Sequence, residues 1–442
     1  MKNARKLCVD ILNTVFSNEG YSNIILRNEL KKNSFNDKDK ALITEIVYGT
    51  IKYKYTIDKI LNSFLKKGIE SLEPYVLNIL RSAIYQIRYL DKVPTFAAVN
   101  EAVEIAKKYS SVSASKLVNG VLRNYIRDSE KTYYNKNNLV ESLCFNYSFE
   151  KWLVNLFMKQ YGGKITEEIL SGLNERPVTS VRVNPLKINY DEAYEELERL
   201  GYDIEEGYVC PEAIIINKGK NIEDNQLFTE GKITVQDESA MLVAPALGFC
   251  EELKIFDLCS APGGKSTHIS ELSNDKAQII AFDIHENKLS LIKENAFRLG
   301  INNILCRQMD ASTFNEDLKD IADAVLIDVP CSGLGIIKKK PEIKYTKNNK
   351  ALEDIIQIQR KIMLNSIKYV KPNGTVIYST CTLNKKENME NINWLIENYP
   401  NISIEPIYFG NLPNLIYENG MVTILPNKYM DGFFIAKLKR NW

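Results

Sequence analysis

Histidine is almost missing from this chain: His268 and His285 are the only two in 442 residues. Chemistry that uses imidazole as base, nucleophile or metal ligand therefore has little to work with. The eight cysteines, at positions 8, 144, 210, 250, 259, 306, 331 and 381, form no CxxC pair. Neither a disulfide framework nor a zinc site is indicated, and no metal is expected. No apolar stretch approaches the ~18 residues of a membrane span. The opening stretch MKNARKLCVDILNTVF lacks the continuous apolar segment and small-residue cleavage site of a signal peptide. Its apolar residues Leu7, Cys8, Ile11, Leu12, Val15 and Phe16 instead share one helical stripe. A cytoplasmic protein without a membrane partner is the expectation. Two phosphate-binding signatures are missing as well. There is no GxGxxG, and GGKST (263–267) has Cys259 where a P-loop needs its first glycine.

What is present is an ordinary globular composition, 45% hydrophobic and 26% charged, in a chain long enough for two or three domains. The net charge of +1 hides an asymmetry. Residues 1–128 hold 21 Lys and Arg against 13 Asp and Glu, a surplus of eight, so the rest of the chain is acidic by seven. A basic module on an acidic body suggests a polyanionic partner. A solvated helical surface would give the same count.

Three segments follow from the hydrophobic rhythm. Residues 1–130 read as all-helical, with apolar residues at three and four spacing in ALITEIVYGTIKYKYTIDKIL, YVLNILRSAIYQIRYL and VPTFAAVNEAVEIAKKY. Residues 131–235 read as a connector and a small α+β module, where SVRVN alternates and DEAYEELERLG is helical. From 236 to 442 short β-rich runs (KIFDL, QIIAFDI, NILCRQ, DAVLIDV, TVIYST) alternate with helical patterns. That alternation predicts an α/β doubly wound parallel sheet. MVTILP and GFFIAKLKR, close in sequence, suggest an antiparallel pair at its end.

The chemistry lies at the ends of those strands. DLCSAPGGKSTH (257–268) follows the first strand and opens a helix, a glycine-bearing turn suited to an adenosine ligand without phosphates. Asp283 ends the second strand, about 20 residues past the glycines, where a carboxylate meets ribose hydroxyls. Asp310 ends the third segment, within reach of an adenine edge. Any one of these acids reads equally as a surface cap. Together they fit S-adenosylmethionine. The fourth strand ends in Asp328-Val-Pro-Cys331 and the fifth in Thr380-Cys381-Thr382. A thiol is useful when the methyl acceptor is an unactivated ring carbon: addition to C6 of a pyrimidine makes C5 enamine-like. Two cysteines can divide this work, one attacking and one assisting release.

DLCSAPGGKSTH, FDI, IDVPCSGLGIIKKKPEIKY, YSTCTL and DGFFIAKLK resemble the motifs of the Fmu/Sun (NOL1/NOP2/Sun-type) RNA 5-methylcytosine methyltransferases. VNEAVEIAKKY…KLVNGVLRNYIR (99–127) resembles a NusB-like RNA-binding domain. The resemblance covers nearly the whole chain. It implies a Rossmann-like class I methyltransferase domain with an all-α NusB-like N-terminal domain and a small α+β connecting module. It implies S-adenosylmethionine as cofactor, small-subunit (16S) ribosomal RNA as partner and a monomeric enzyme. It maps the nucleophile onto Cys381 and product release onto Cys331. Cofactor contacts fall on Cys259, Ser260, Ala261, Pro262, Gly263, Gly264 and Lys265, then Asp283, Asp310 and Asp328, with Asp328 also placed to touch the target base. Val329 stands where the family often has Ala, and Thr382 where it often has Ser; neither change removes a reacting atom. The lysines of KKKPEIKYTKNNK (338–350) are expected to meet RNA phosphates. A DNA cytosine methyltransferase using Cys331, and a non-catalytic RNA-binding assembly factor, are the competing readings. The separate TC cysteine weighs against the first and the intact cofactor loop against the second.

Overall fold

The computed structural model describes residues 3–18, 20–128, 131–248 and 251–442, so Cys250 lies outside the described residues. Met1–Asn174 with Ile337–Thr346 form one compact unit, and Glu175–Ile336 with Lys347–Trp442 form a second.

The first unit is helical, as its three-and-four spacing predicts. Among the described residues seven α-helices run from Ala4–Asn18 to Val112–Arg127, followed by Leu139–Tyr147 and the kinked Lys151–Asn174. Asparagine and serine start several of them: Asn36, Ser111 and Asn138 each accept a backbone N–H of the first turn. The apolar pattern over 41–61 divides at Tyr53 into two helices, Asp37–Lys52 and Lys54–Asn62. Tyr53 leaves helical geometry there and stacks on Tyr89, with ring centroids 4.2 Å apart. Close packing is explicit at Gly49, where an added Cβ would lie 1.8 Å from the Tyr85 ring. The core also holds a bidentate pair, Arg81 Nε and Nη2 donating to the two Asp58 oxygens at 2.7 and 2.8 Å.

The segment 337–346 corrects one expectation. Lys344 does not face phosphates: it is fully buried. Its ammonium donates to Lys52 O (3.1 Å), Ser148 O (3.1 Å) and Asn174 Oδ1 (2.9 Å), and lies 3.6 Å from the Phe149 ring centroid. Lys52 ends one helix, so the cation sits where the helix dipole is negative. Burial pulls the Lys344 pKa well below that of an ordinary lysine, with Lys52 adding to the effect. Lys338 is buried too. Glu342 anchors the same segment by accepting from Ser22 N and Oγ at 3.1 and 2.7 Å.

Among the described residues the second unit contains two sheets. The small one uses β1 (Thr179–Val183), β2 (Asp203–Glu206), β3 (Ala213–Lys218) and β4 (Ile233–Val235) in the order β2-β3-β1-β4, all antiparallel. The helix Tyr190–Arg199 crosses between β1 and β2. The large sheet has β5 (Lys254–Asp257), β6 (Gln278–Asp283), β7 (Ile304–Gln308), β8 (Ala322–Asp328) and β9 (Val370–Thr380) in parallel. It continues with β10 (Ile402–Glu405), β11 (Leu415–Glu418), β12 (Met421–Ile424) and β13 (Phe433–Arg440). The order is β7-β6-β5-β8-β9-β13-β12-β11, with β10 on β13. The strand order reverses between β5 and β8, where the sheet grows first through β6 and β7 on one side and then through β8 and β9 on the other, a topological switch point. The expected pair β12–β13 is antiparallel, and β13 also lies antiparallel on β9. Helices Glu286–Leu299 and Asn349–Tyr369 supply the alternation predicted from the sequence.

Candidate active site

The parallel strands β5, β6, β8 and β9 deliver their carboxyl ends to one edge of the sheet, so the motif residues that follow them converge. The turn after β5 is built tightly. Ser260 N and Oγ both donate to Phe282 O on β6, at 2.9 and 2.8 Å, and Gly263 N donates back to Ser260 O. Gly263 has φ +99°, and a Cβ there would press within 3.1 Å of Ile292 on the helix behind it. Gly264 opens the helix Gly264–Leu272, and a Cβ there would meet nothing closer than Gln236 at 3.9 Å. One glycine makes the turn; at the other a side chain would find room. That cradle fits a ligand packed against the chain.

Asp283, buried at the end of β6, accepts Ala261 N at 3.3 Å and His285 N at 3.0 Å. Loop and carboxylate are thus brought together as expected. Asp310 is exposed just past β7; its carboxyl lies below the usual range because Ser312 donates to it, at 2.7 Å from the hydroxyl. Asp328 is more engaged than expected. It accepts Lys265 Nζ at 2.5 Å and Ser379 Oγ at 2.8 Å. Burial lowers the Lys265 pKa, but the Asp328 charge and hydrogen bond outweigh it and the net shift is upward. Cys259 is held as a neutral thiol by burial, reinforced by the acids around it.

Cys331 follows β8 and Cys381 follows β9, and their Sγ atoms stand 3.0 Å apart, both half-buried. Backbone rungs fix the two loops: Val329 N donates to Ser379 O, and Gly335 N to Cys381 O at 3.0 Å. Gly335 in turn accepts Gly432 N, and a Cβ on it would strike Gly432 O at 1.9 Å. The Cys331 pKa is raised well above an ordinary thiol's by the Cys381 hydrogen bond, then burial, then the charges of Cys381, Glu387 and Asp328. Sequence reasoning missed Asp257, Ser379 and Glu387. Asp257 is fully buried at the end of β5, accepts Ser266 Oγ at 2.5 Å, and has its pKa pushed up by burial to about 7. An acid at a strand end was the available signal. Among the described residues no group of His, Cys, Asp and Glu is placed to hold a metal, and no helix is long and apolar enough to cross a membrane.

A doubly wound parallel sheet continued by the antiparallel strand β13, with a glycine turn beside strand-end acids, defines a Rossmann-like methyltransferase. Residues 244–439 match the family described as 16S rRNA methyltransferase RsmB/F, residues 2–127 the NusB family, and residues 149–223 the ferredoxin-like domain of RsmF/B-like methyltransferases. A Bacillus subtilis protein named "Probable ribosomal RNA small subunit methyltransferase B" is 35% identical, covering 99% of this chain and 98% of that one. The chain belongs to the RsmB/F family of methyltransferases. A crystal structure titled PH0851 is 26% identical with TM-score 0.83, over 99% of each chain. NSun6 from Pyrococcus horikoshii, solved with the S-adenosylmethionine analogue SFG, is 25% identical with TM-score 0.60, over 67% of this chain and 99% of its own. The cofactor of this chain is S-adenosylmethionine.

Proposed function

We propose that this protein methylates C5 of a cytosine in small-subunit ribosomal RNA through a covalent adduct with Cys381. The observation that carries this reading is the pair of thiols 3.0 Å apart at the ends of adjacent parallel strands, beside the cofactor turn. Bound S-adenosylmethionine supplies an electrophilic methyl group. The residues to hold it are the 259–265 loop, Asp283 and Asp310, with Asp328 reaching toward both cofactor and base. Cys381 adds as thiolate to C6 of the ring, moving electron density to C5. After methylation the C5 proton passes to water, the pair from the broken C5–H bond closes the C5–C6 double bond, and the C6–S bond breaks with its own pair returning to sulfur. Cys331, kept protonated by its surroundings, supplies a proton donor beside the departing sulfur. Residues 1–130 serve as the RNA-binding module, 131–235 as connector and accessory module, and 236–442 as the catalytic domain.

Labelled ribosomal RNA on a denaturing gel tests the assignment. Cys381→Ser replaces the thiol with a hydroxyl that stays protonated, so methylation collapses and no adduct forms. Cys331→Ala still attacks and transfers, and stays attached to methylated RNA. An adduct with Cys381→Ser and none with Cys331→Ala reverses the roles and favours the DNA-methyltransferase-like mechanism. Mapping methyl groups on ribosomal RNA from cells with and without the protein identifies the cytosine.

A further inference from the structure

Beneath the thiol pair lies a polar cluster that the reaction scheme does not use. Glu387, Thr382, Asn384 and Gln359 are fully buried, and Ser332 nearly so. One Glu387 oxygen, Oε2, accepts Ser332 N at 2.9 Å and Gln359 Nε2 at 3.0 Å. The other, Oε1, accepts Ser332 Oγ at 2.5 Å and Asn384 Nδ2 at 3.1 Å. Ser332 Oγ also lies 2.7 Å from Thr382 Oγ1, and Gln359 Nε2 donates to Pro330 O at 3.0 Å. Ser332 follows Cys331, and Thr382 follows Cys381. The carboxylate therefore gathers the residue after each cysteine, together with the carbonyl before the first through Gln359. Its own backbone is fixed in turn, since Tyr378 OH donates to Glu387 O at 2.5 Å. Every group around the carboxylate is a donor, so an isosteric amide would set an N–H against at least one of them.

We propose that Glu387 is a positioning residue for the two thiols: it clamps the loop carrying Cys331 to the loop carrying Cys381 and sets the separation at which the adduct is resolved. The inference rests on the cysteine mechanism above. Attack needs one thiol, whereas resolution needs both at a fixed distance. Loosening the clamp therefore slows release more than attack, and a small displacement of a reacting group is enough. The Glu387 charge also adds to the upward shift at Cys331, which keeps that thiol protonated.

The test uses the full chain with labelled ribosomal RNA, run beside wild type and Cys331→Ala. In Glu387→Gln the ratio of trapped adduct to released product rises about tenfold. S-Adenosylmethionine affinity by calorimetry stays within about twofold, because Glu387 touches none of the cofactor residues. Glu387→Asp, which keeps the charge on a shorter arm, falls between the two. Ser332→Ala removes one donor and shifts the ratio in the same direction by less, so the test stands even if Glu387→Gln does not fold. A merely structural role would lower the active fraction and leave the ratio unchanged, and that result overturns the inference. If the Glu387→Gln ratio is unchanged while Cys331→Ala traps adduct, only the role of Glu387 falls. If Cys331→Ala traps none, the cysteine assignment falls and takes the inference with it.

Discussion

Asp257 shows how one buried carboxyl ties stability to pH. Burial lifts its pKa to about 7, despite the hydrogen bond from Ser266. A carboxyl whose pKa is higher folded than unfolded adds stability below about pH 4 and loses it as pH rises through about 7. Asp257→Asn cannot ionise and keeps an acceptor for Ser266. Its melting temperature relative to wild type should therefore climb between pH 5 and pH 8, by about 3–6 °C. Parallel melting curves across that range would show that Asp257 does not ionise there. The residue-level reading of the sequence reached the strand-end acids and both cysteines, because each follows an apolar β-run directly. It did not reach Glu387, whose partner Ser332 is 55 positions away and joins it only once β8 and β9 lie side by side. Nor did it see that Asp328 is already occupied by Lys265 and Ser379, since both reach it across the sheet edge.

At the scale of elements, the parallel strands were legible because buried strands read as nearly continuous apolar runs. The helices of residues 1–128 were legible from their spacing. The break at Tyr53 was not, because stacking on Tyr89 comes from a helix far along the chain. The burial of Lys344 was not legible either. A lysine among lysines reads as solvated, and only folding brings helix-end carbonyls around it. Its removal has a definite consequence. Lys344→Met keeps the apolar stem but strands Lys52 O and Ser148 O without this donor. The loss should be about 2–4 kcal/mol, read as a lower urea midpoint for the helical unit's circular dichroism signal. An unchanged midpoint would mean that water takes over the carbonyls.

For the molecule as a whole, charge is divided rather than balanced: the surplus of eight positive charges sits in residues 1–128 of a chain that is net +1. Part of it lies on one helix, where Lys116, Arg123 and Arg127 are exposed at spacings of seven and four, on the same face as Gly120. A side chain at Gly120 would meet nothing within 4 Å, so this face offers bare backbone between its cations. A helix-interior glycine costs about 1 kcal/mol relative to alanine, which packing does not require here. If this face meets phosphates, Arg123→Glu with Arg127→Glu should weaken ribosomal RNA binding by the full chain. The slope of log affinity against log salt should fall by about two. Filter binding across a salt series checks both; an unchanged slope places the contacts elsewhere. The excursion of residues 337–346 has a consequence of another kind. Most two-domain chains can be parted with a single cut, as beads on a string. Here the polypeptide passes from one unit to the other three times, and the ten residues 337–346, Lys344 among them, belong to the unit built from residues 1–174. No single scission frees either half, and an isolated catalytic fragment would carry a displaced piece of its neighbour's core six residues downstream of Cys331.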